Sequence, residues 1–305
     1  MKPPIPVASD PSEILADWIE FDAVLSTEGH SSAENLVRLL RRSGSVDAIG
    51  GPREDRGSAL SQTIVEDAFV EIENRSKACG SGYPFAIEQG LLRLVQQPDQ
   101  STYVLLLLMS AAVPTSGHGG TAVLFERICT EAALGYLGGT SNGAESIRFG
   151  APRKVPLAKL SQALDDLCAR MSEGVGCKFP SKARHSGDEG LDIVAWRKFP
   201  DLKAGQLIAF GQCAGGGGNW QKKLAELDAR KFAQKWFREM FLVDPVRLFF
   251  LPRRVSATDW MHSGIDGGIL FDRCRIISCL PNLSPSLASD CAAVAGKLLQ
   301  TANAA

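Results

Sequence analysis

Three short apolar segments in the second half of the chain constrain its fold most. Residues 191–196, 206–210 and 247–251 are almost continuously apolar and too short for buried helices, so we expect strands. An amphipathic segment at about 219–239 lies between the second and the third and predicts a helix. Strands, a helix and a further strand in this order are typical of a mixed α/β unit.

The first 80 residues carry signals for helices. Asp10-Pro11-Ser12-Glu13 and Ser31-Ser32-Ala33-Glu34 each place a capping residue and a first-turn carboxylate before an apolar series. A loop rich in glycine, proline and charge is expected at 43–58, and a third amphipathic helix near 60–78. We therefore predict a helical N-terminal portion.

The remaining segments suggest a division of the chain. Two apolar segments, 85–95 and 103–113, are too continuous to be exposed on any face and predict core. The Pro/Gly-rich run at 114–120 is a candidate boundary, and helices are expected at about 121–137 and 157–172. The predicted parts are a mainly helical region (1–115), an α/β domain (116–280) and a C-terminal helix or tail (281–305).

Composition excludes several classes of protein. A chain of 305 residues with 45% hydrophobic residues can bury a core and is not disordered or fibrous. Its longest apolar stretch, about 12 residues, is shorter than the roughly 20 that span a bilayer, so we expect no membrane partner. There is no signal-peptide pattern at the start, and the eight dispersed cysteines are typical of free thiols, so we expect a cytoplasmic protein.

The net charge of −1 hides an uneven distribution of charge. Residues 1–80 carry 14 acidic and 8 basic side chains, whereas residues 222–275 carry 7 acidic and 11 basic ones. A protein without net positive charge binds DNA weakly at physiological salt. We therefore expect a homo-oligomer or a protein partner to assist DNA binding, with the acidic region providing that contact or masking the basic one.

Polar residues stand at the ends of the first two predicted strands. Asp192 lies near the start of one predicted strand, just after Gly187-Asp188-Glu189-Gly190. The next predicted strand ends in Gly211-Gln212-Cys213-Ala214. An Asp among buried strand residues requires a partner or a cation. Upstream, Leu124-Phe125-Glu126-Arg127 lies early in the helix at 121–137.

This arrangement resembles the PD-(D/E)xK nuclease superfamily, and within it the Mrr-type restriction endonuclease branch. The resemblance covers about 118–255 and implies a restriction-endonuclease-like mixed sheet flanked by helices. It implies an Mg²⁺- or Mn²⁺-dependent deoxyribonuclease that acts in restriction or anti-phage defence. Asp192 is then the principal metal ligand, Gln212 and the Cys213 carbonyl are further ligands, and Glu126 supports the metal or its water.

One position departs from the pattern of that family. Ala214 stands where the family has a lysine, and the following helix offers two lysines that could replace it. At about 100° per residue, Lys223 lies near the inward seam of that helix, whereas Lys222 faces solvent. We therefore select Lys223, with Glu226 as an acid further along the same edge.

Candidate DNA contacts follow the predicted site. Basic side chains are frequent in 222–275, and aromatic residues lie among them, namely Trp236, Phe249 and Trp260. The four basic residues that we select as DNA-binding are Lys222, Arg230, Arg253 and Arg254. The run 214–219 is either a flexible turn or a close approach to a DNA backbone.

Other interpretations of the same residues stay open. Glu126 fits a solvated helix face, and Gln212 fits a strand end where it satisfies backbone groups. The missing lysine favours a catalytically inactive nuclease fold that binds nucleic acid or protein. A third hypothesis, a caspase-like cysteine peptidase, pairs His118 with Cys213, but the order of Cys and Ala is reversed and Asp192 stays unexplained.

Overall fold

The computed structural model describes residues 5–42, 54–111, 120–153, 157, 159–184, 189–215, 220–280 and 282–304, with the side chains of 54–61 and 184 left out. This part of the chain is a mixed α/β protein with two sheets. None of its helices is both long enough and apolar enough to cross a membrane.

The N-terminal region contains the three predicted helices, which are α1 (Ser12–Leu25), α2 (Ala33–Arg42) and α3 (Glu54–Cys79). The expected cap at Ser32 is present, because its hydroxyl accepts a hydrogen bond of 3.2 Å from the Asn35 N–H. The predicted loop at 43–58 is partly wrong, since α3 already begins at Glu54. Residues 43–53 lie outside the described part.

A small antiparallel sheet was not expected in this region. Its strands are β1 (His30–Ser32), β2 (Phe85–Glu88) and β3 (Leu91–Leu94), in the order β1-β3-β2. Gln89 and Gly90 both have positive φ, as a two-residue hairpin turn requires. The prediction that 85–95 is all core is therefore wrong, because Ile87 lies 38% exposed on the outer face. The second apolar segment forms α4 (Thr102–Ser110), whose residues 103–109 are all buried.

The larger sheet has five strands in chain order. These are β4 (Ala144–Arg148), β5 (Ile193–Arg197), β6 (Leu207–Cys213), β7 (Val246–Phe250) and β8 (Ile269–Phe271). The first three are antiparallel, and β7 and β8 continue parallel to β6. The three predicted strands are confirmed. Since Ile193 pairs with Gly211, the start of β5 and the end of β6 lie at the same edge.

Helices cover both faces of this sheet. They are α5 (Thr121–Tyr136), α6 (Leu160–Met171), α7 (Trp220–Lys223), α8 (Ala229–Trp236), α9 (Ala257–Gly267), α10 (Arg273–Cys279) and α11 (Pro285–Asn303). Ile193 and Ala195 join one hydrophobic cluster with α5 and the N-terminal helices, while Val194 and Trp196 join another with α6 and α8. Burial on both faces explains why this strand is continuously apolar.

The helix predicted at 219–239 is divided in two. After α7, Leu224 and Glu226 donate to carbonyls three residues back, as in turns rather than an α-helix. Asp228 then caps α8, because its side chain accepts a 2.9 Å hydrogen bond from the Lys231 N–H.

A buried ionic cluster joins the N-terminal helices to the rest of the chain. The side chains of Arg75 and Arg273 are fully buried, and both bind Asp17 and Glu20 of α1 at 2.7–3.3 Å. Arg254 binds Glu71 of α3 at 2.9 Å. Acidic groups of the N-terminal region thus neutralise basic groups of the α/β part inside the molecule.

Candidate active site

The predicted catalytic side chains line one cavity at the edge of the larger sheet. Its volume is about 420 Å³, and Glu126, Asp192, Gln212, Cys213 and Lys223 all border it. Because these residues come from α5, the start of β5, the end of β6 and α7, tertiary folding alone brings them together. The other lining residues are Thr121, Ala122, Phe125, Gly190, Gly215 and Glu226.

Asp192 is fixed by the backbone on both sides. Its N–H donates to the Gly211 carbonyl at 2.9 Å, and its own carbonyl accepts from Phe149 and Gly150 at 2.6 and 3.0 Å. Its side-chain Oδ2 accepts a 2.7 Å hydrogen bond from the Cys213 N–H. The carboxylate is therefore positioned by sheet register, which makes it a rigid group in the cavity.

Glu126 approaches Asp192 across a glycine. A Cβ atom on Gly150 would lie 3.0 Å from Asp192 Oδ1 and 3.1 Å from Glu126 Oε2, so both oxygens border the same small space. Arg148 orients Glu126 through a 2.6 Å ion pair from its Nε to Oε2. The Glu126 side chain is only 12% exposed, which contradicts the alternative of a solvated helix face.

Gln212 is held in one orientation by two partners. Its Nε2 donates to Glu226 Oε2 at 2.8 Å, and its Oε1 accepts from Arg247 Nη2 at 3.3 Å. The amide nitrogen therefore faces the cavity, and the oxygen faces Arg247. Gly190, at φ +81°, lets this amide approach, because a Cβ there would lie 3.0 Å from Nε2. In this orientation Gln212 positions Glu226 and does not present its oxygen as a metal ligand.

The two lysines of α7 lie in different surroundings. Lys223 is partly buried and borders the cavity, whereas Lys222 is exposed and does not. Glu226 also borders the cavity, and its N–H donates to the Lys223 carbonyl at 3.1 Å. Lys223 and Glu226 thus bring a positively charged side chain and a third carboxylate to the same cavity as Glu126 and Asp192.

Cys213 has the properties of a structural thiol. Burial, a hydrogen bond with Cys129 and the nearby Asp192 and Glu126 carboxylates raise its pKa well above the ordinary value. A catalytic cysteine needs the opposite, a lowered pKa that populates the thiolate. His118, the other residue of the peptidase hypothesis, lies outside the described residues.

The donor set suits a hard cation that keeps its water. Among the residues that the structure describes, no group of three or more His, Cys, Asp and Glu side chains is arranged to hold a metal. Mg²⁺ is bound in proteins through one or two carboxylates with several waters, rather than by an all-protein cage. Glu126 and Asp192, with the space beside Gly150 between them, meet that requirement.

The four selected DNA contacts are placed differently from one another. Lys222 is exposed, and Arg230 is exposed in a 3.6 Å ion pair with Asp244. Arg254 is bound to Glu71 and Asp272, and Arg253 is partly buried, which lowers its pKa. Arg254 therefore serves the buried ionic cluster rather than DNA. Of the aromatic residues named with them, Trp236 and Phe249 are buried and cannot stack on bases.

Three site residues carried no sequence signal. Arg148 ends β4 and Gly150 lies two residues beyond it. The side chains of this strand show little alternation between buried and exposed positions. Arg247 was counted only as one basic residue among many. Their roles depend on contacts with Glu126, Asp192 and Gln212 that only the folded sheet creates.

Comparisons with family models, with curated proteins and with solved structures returned no match to this chain.

Proposed function

We propose that this protein is a divalent-metal-dependent DNA endonuclease with a restriction-endonuclease-like fold. The observation that carries the proposal is the meeting of Glu126, Asp192, Gln212 and Lys223 around one cavity. They come from α5, the start of β5, the end of β6 and α7. A role in restriction or anti-phage defence rests on the family resemblance alone.

Glu126 and Asp192 would hold Mg²⁺ or Mn²⁺ in the space beside Gly150. The ion, when bound, polarises a phosphate and lowers the pKa of a coordinated water. The Cys213 N–H and Arg148 fix the two carboxylates, so the ion meets a preorganised site.

Lys223 supplies positive charge at the same cavity. An ammonium group in a partly buried cavity stabilises the negative charge that develops on a phosphate during hydrolysis. Gln212 holds the Glu226 carboxylate at the cavity, where it can accept a proton or orient a water. Lys223 thereby replaces the family lysine that is absent at Ala214.

Plasmid cleavage with a charge-neutral variant tests this function. Asp192→Asn keeps an oxygen that can accept from the Cys213 N–H but removes the charge that binds the cation. We expect wild-type protein to nick or cut supercoiled plasmid with Mg²⁺ or Mn²⁺, and Asp192→Asn to lose this activity. The matched control is Asp201→Asn, at an exposed turn, which should cut as wild type does. Full activity in Asp192→Asn would overturn the proposed function.

A catalytically inactive binding subunit is the second candidate. Ala214 favours it, because the family lysine is missing from the end of β6. Salt-sensitive DNA binding without cleavage under any divalent cation would establish that alternative.

A further inference from the structure

An exposed phenylalanine with two lysines against its ring lies in the segment that pairs with the end of α8. The Phe179 side chain is 39% exposed. The Nζ atoms of Lys178 and Lys182 lie 5.5 and 5.2 Å from the centre of its ring. Lys178 forms no ion pair with any described carboxylate, and its ammonium group donates only to the Gln234 carbonyl, at 3.4 Å.

The segment that carries Phe179 is anchored to the end of α8. The Lys178 N–H donates to the Trp236 carbonyl at 2.7 Å, and Cys177 forms a β-bridge with Phe237. The Ala183 N–H donates to the Phe179 carbonyl at 3.0 Å, which closes a backbone turn from Phe179 to Ala183. The ring is therefore displayed by a fixed backbone.

Helix α8 connects this ring to the cavity. Just before its first residue, Leu227 packs near Gly190, which borders the cavity. At its last residue, Trp236 Nε1 donates at 3.1 Å to Glu189, the neighbour of Gly190. Eight helical residues span about 12 Å, a length that a few nucleotides of single strand can cover. The exposed side of α8 carries Arg230, Lys231 and Lys235 along this path.

We propose that Phe179 is a stacking platform for an unpaired base of single-stranded DNA, with Lys178 and Lys182 binding the flanking phosphates. A cation over an exposed ring is held more weakly than a stacked base, so a base can replace an ammonium group on the ring. The displaced lysine then pairs with a phosphate. The inference rests on the proposed function, which identifies the bound nucleic acid as DNA. It names single-stranded or locally opened DNA as the substrate.

Binding measured without metal tests the platform separately from cleavage. The probe is a fluorescein-labelled oligo-dT of about 12 nucleotides, followed by anisotropy in EDTA at low salt, beside a duplex of equal length. The variants of the full chain are Phe179→Ala and Phe179→Tyr. Phe199→Ala is the matched control, because Phe199 is 60% exposed in the turn between β5 and β6, at the opposite edge of the sheet.

We expect Phe179→Ala to weaken oligo-dT binding about tenfold, while Phe179→Tyr and Phe199→Ala bind as wild type does. Duplex binding should change far less, since paired bases cannot reach the ring. Equal oligo-dT binding by wild type and Phe179→Ala would overturn the platform, and so would absence of wild-type binding or an equal loss in Phe199→Ala. A protein that binds oligo-dT through Phe179 but cuts no DNA would retain the platform and lose the nuclease assignment.

Discussion

The backbone N–H of Cys213 donates a 2.7 Å hydrogen bond to Oδ2 of Asp192. Since the donor belongs to the main chain, the end of β6 holds the carboxylate at the start of β5 whatever side chain stands at position 213. The other oxygen of Asp192 faces the space beside Gly150, where Glu126 also points. The sheet therefore fixes which oxygen of Asp192 borders that space.

Gly150→Ala should close the proposed metal site. Its methyl group would lie about 3 Å from an oxygen of each carboxylate, in the space that the cation requires. We expect Mn²⁺ affinity, measured by calorimetry, to fall at least about tenfold, with a parallel loss of cleavage. Gly296→Ala, where nothing lies within 4 Å, is the control for a glycine-to-alanine change on a helix. Unchanged Mn²⁺ binding in Gly150→Ala would place the ion elsewhere.

Replacing each lysine of α7 should distinguish a role in the cavity from general surface charge. Lys223→Ala removes an ammonium group that borders the cavity, and we expect cleavage to slow about 100-fold. Lys222→Ala removes the same charge one residue earlier, on the exposed side, and should weaken DNA binding only slightly. Single-turnover cleavage rates at saturating protein measure the difference. Equal rates for the two variants would remove Lys223 from the reaction.

The strands of the larger sheet could be predicted because their signals are local. Residues 191–196 are apolar except for Asp192, since Val194 and Ile193 enter different hydrophobic clusters on the two faces. The apolar pattern and the length of each segment sufficed to assign these strands. The convergence of Asp192 with Glu126 was an expectation from the family resemblance, and the cavity places the two residues together.

Other parts of the site could not be predicted because they depend on contacts distant in sequence. Arg148 is one basic residue among 33 until β4 pairs with β5 and brings it to Glu126. The orientation of Gln212 depends on Glu226 and Arg247, which lie on different elements. The small sheet was missed because Gln89-Gly90, its turn, interrupts an apolar segment too short to show alternation.

Cys213→Ala should keep DNA cleavage, because only the main chain of this residue belongs to the proposed site. Burial raises the pKa of the Cys213 thiol well above its ordinary value, so it stays protonated at pH values where free cysteines ionise. We expect native protein at about pH 8 to resist iodoacetamide at this position and unfolded protein to react there. Mass spectrometry of tryptic peptides measures this difference. Rapid native alkylation of Cys213 would reopen the peptidase hypothesis.

Arg273→Met should destabilise the whole protein. The guanidinium group is fully buried and binds both oxygens of Asp17, at 2.9 and 3.0 Å, as well as the Pro252 carbonyl. Without it, Arg75 is the one described cation still bound to Asp17 and Glu20, and a buried charge without its partner costs about 3–5 kcal/mol. We expect urea unfolding to show a loss of that size in the free energy of unfolding. Arg127→Met, which breaks an exposed ion pair with Asp290, should cost less than about 1 kcal/mol. Similar losses in the two variants would mean that the buried cluster does not hold the N-terminal helices on the α/β part.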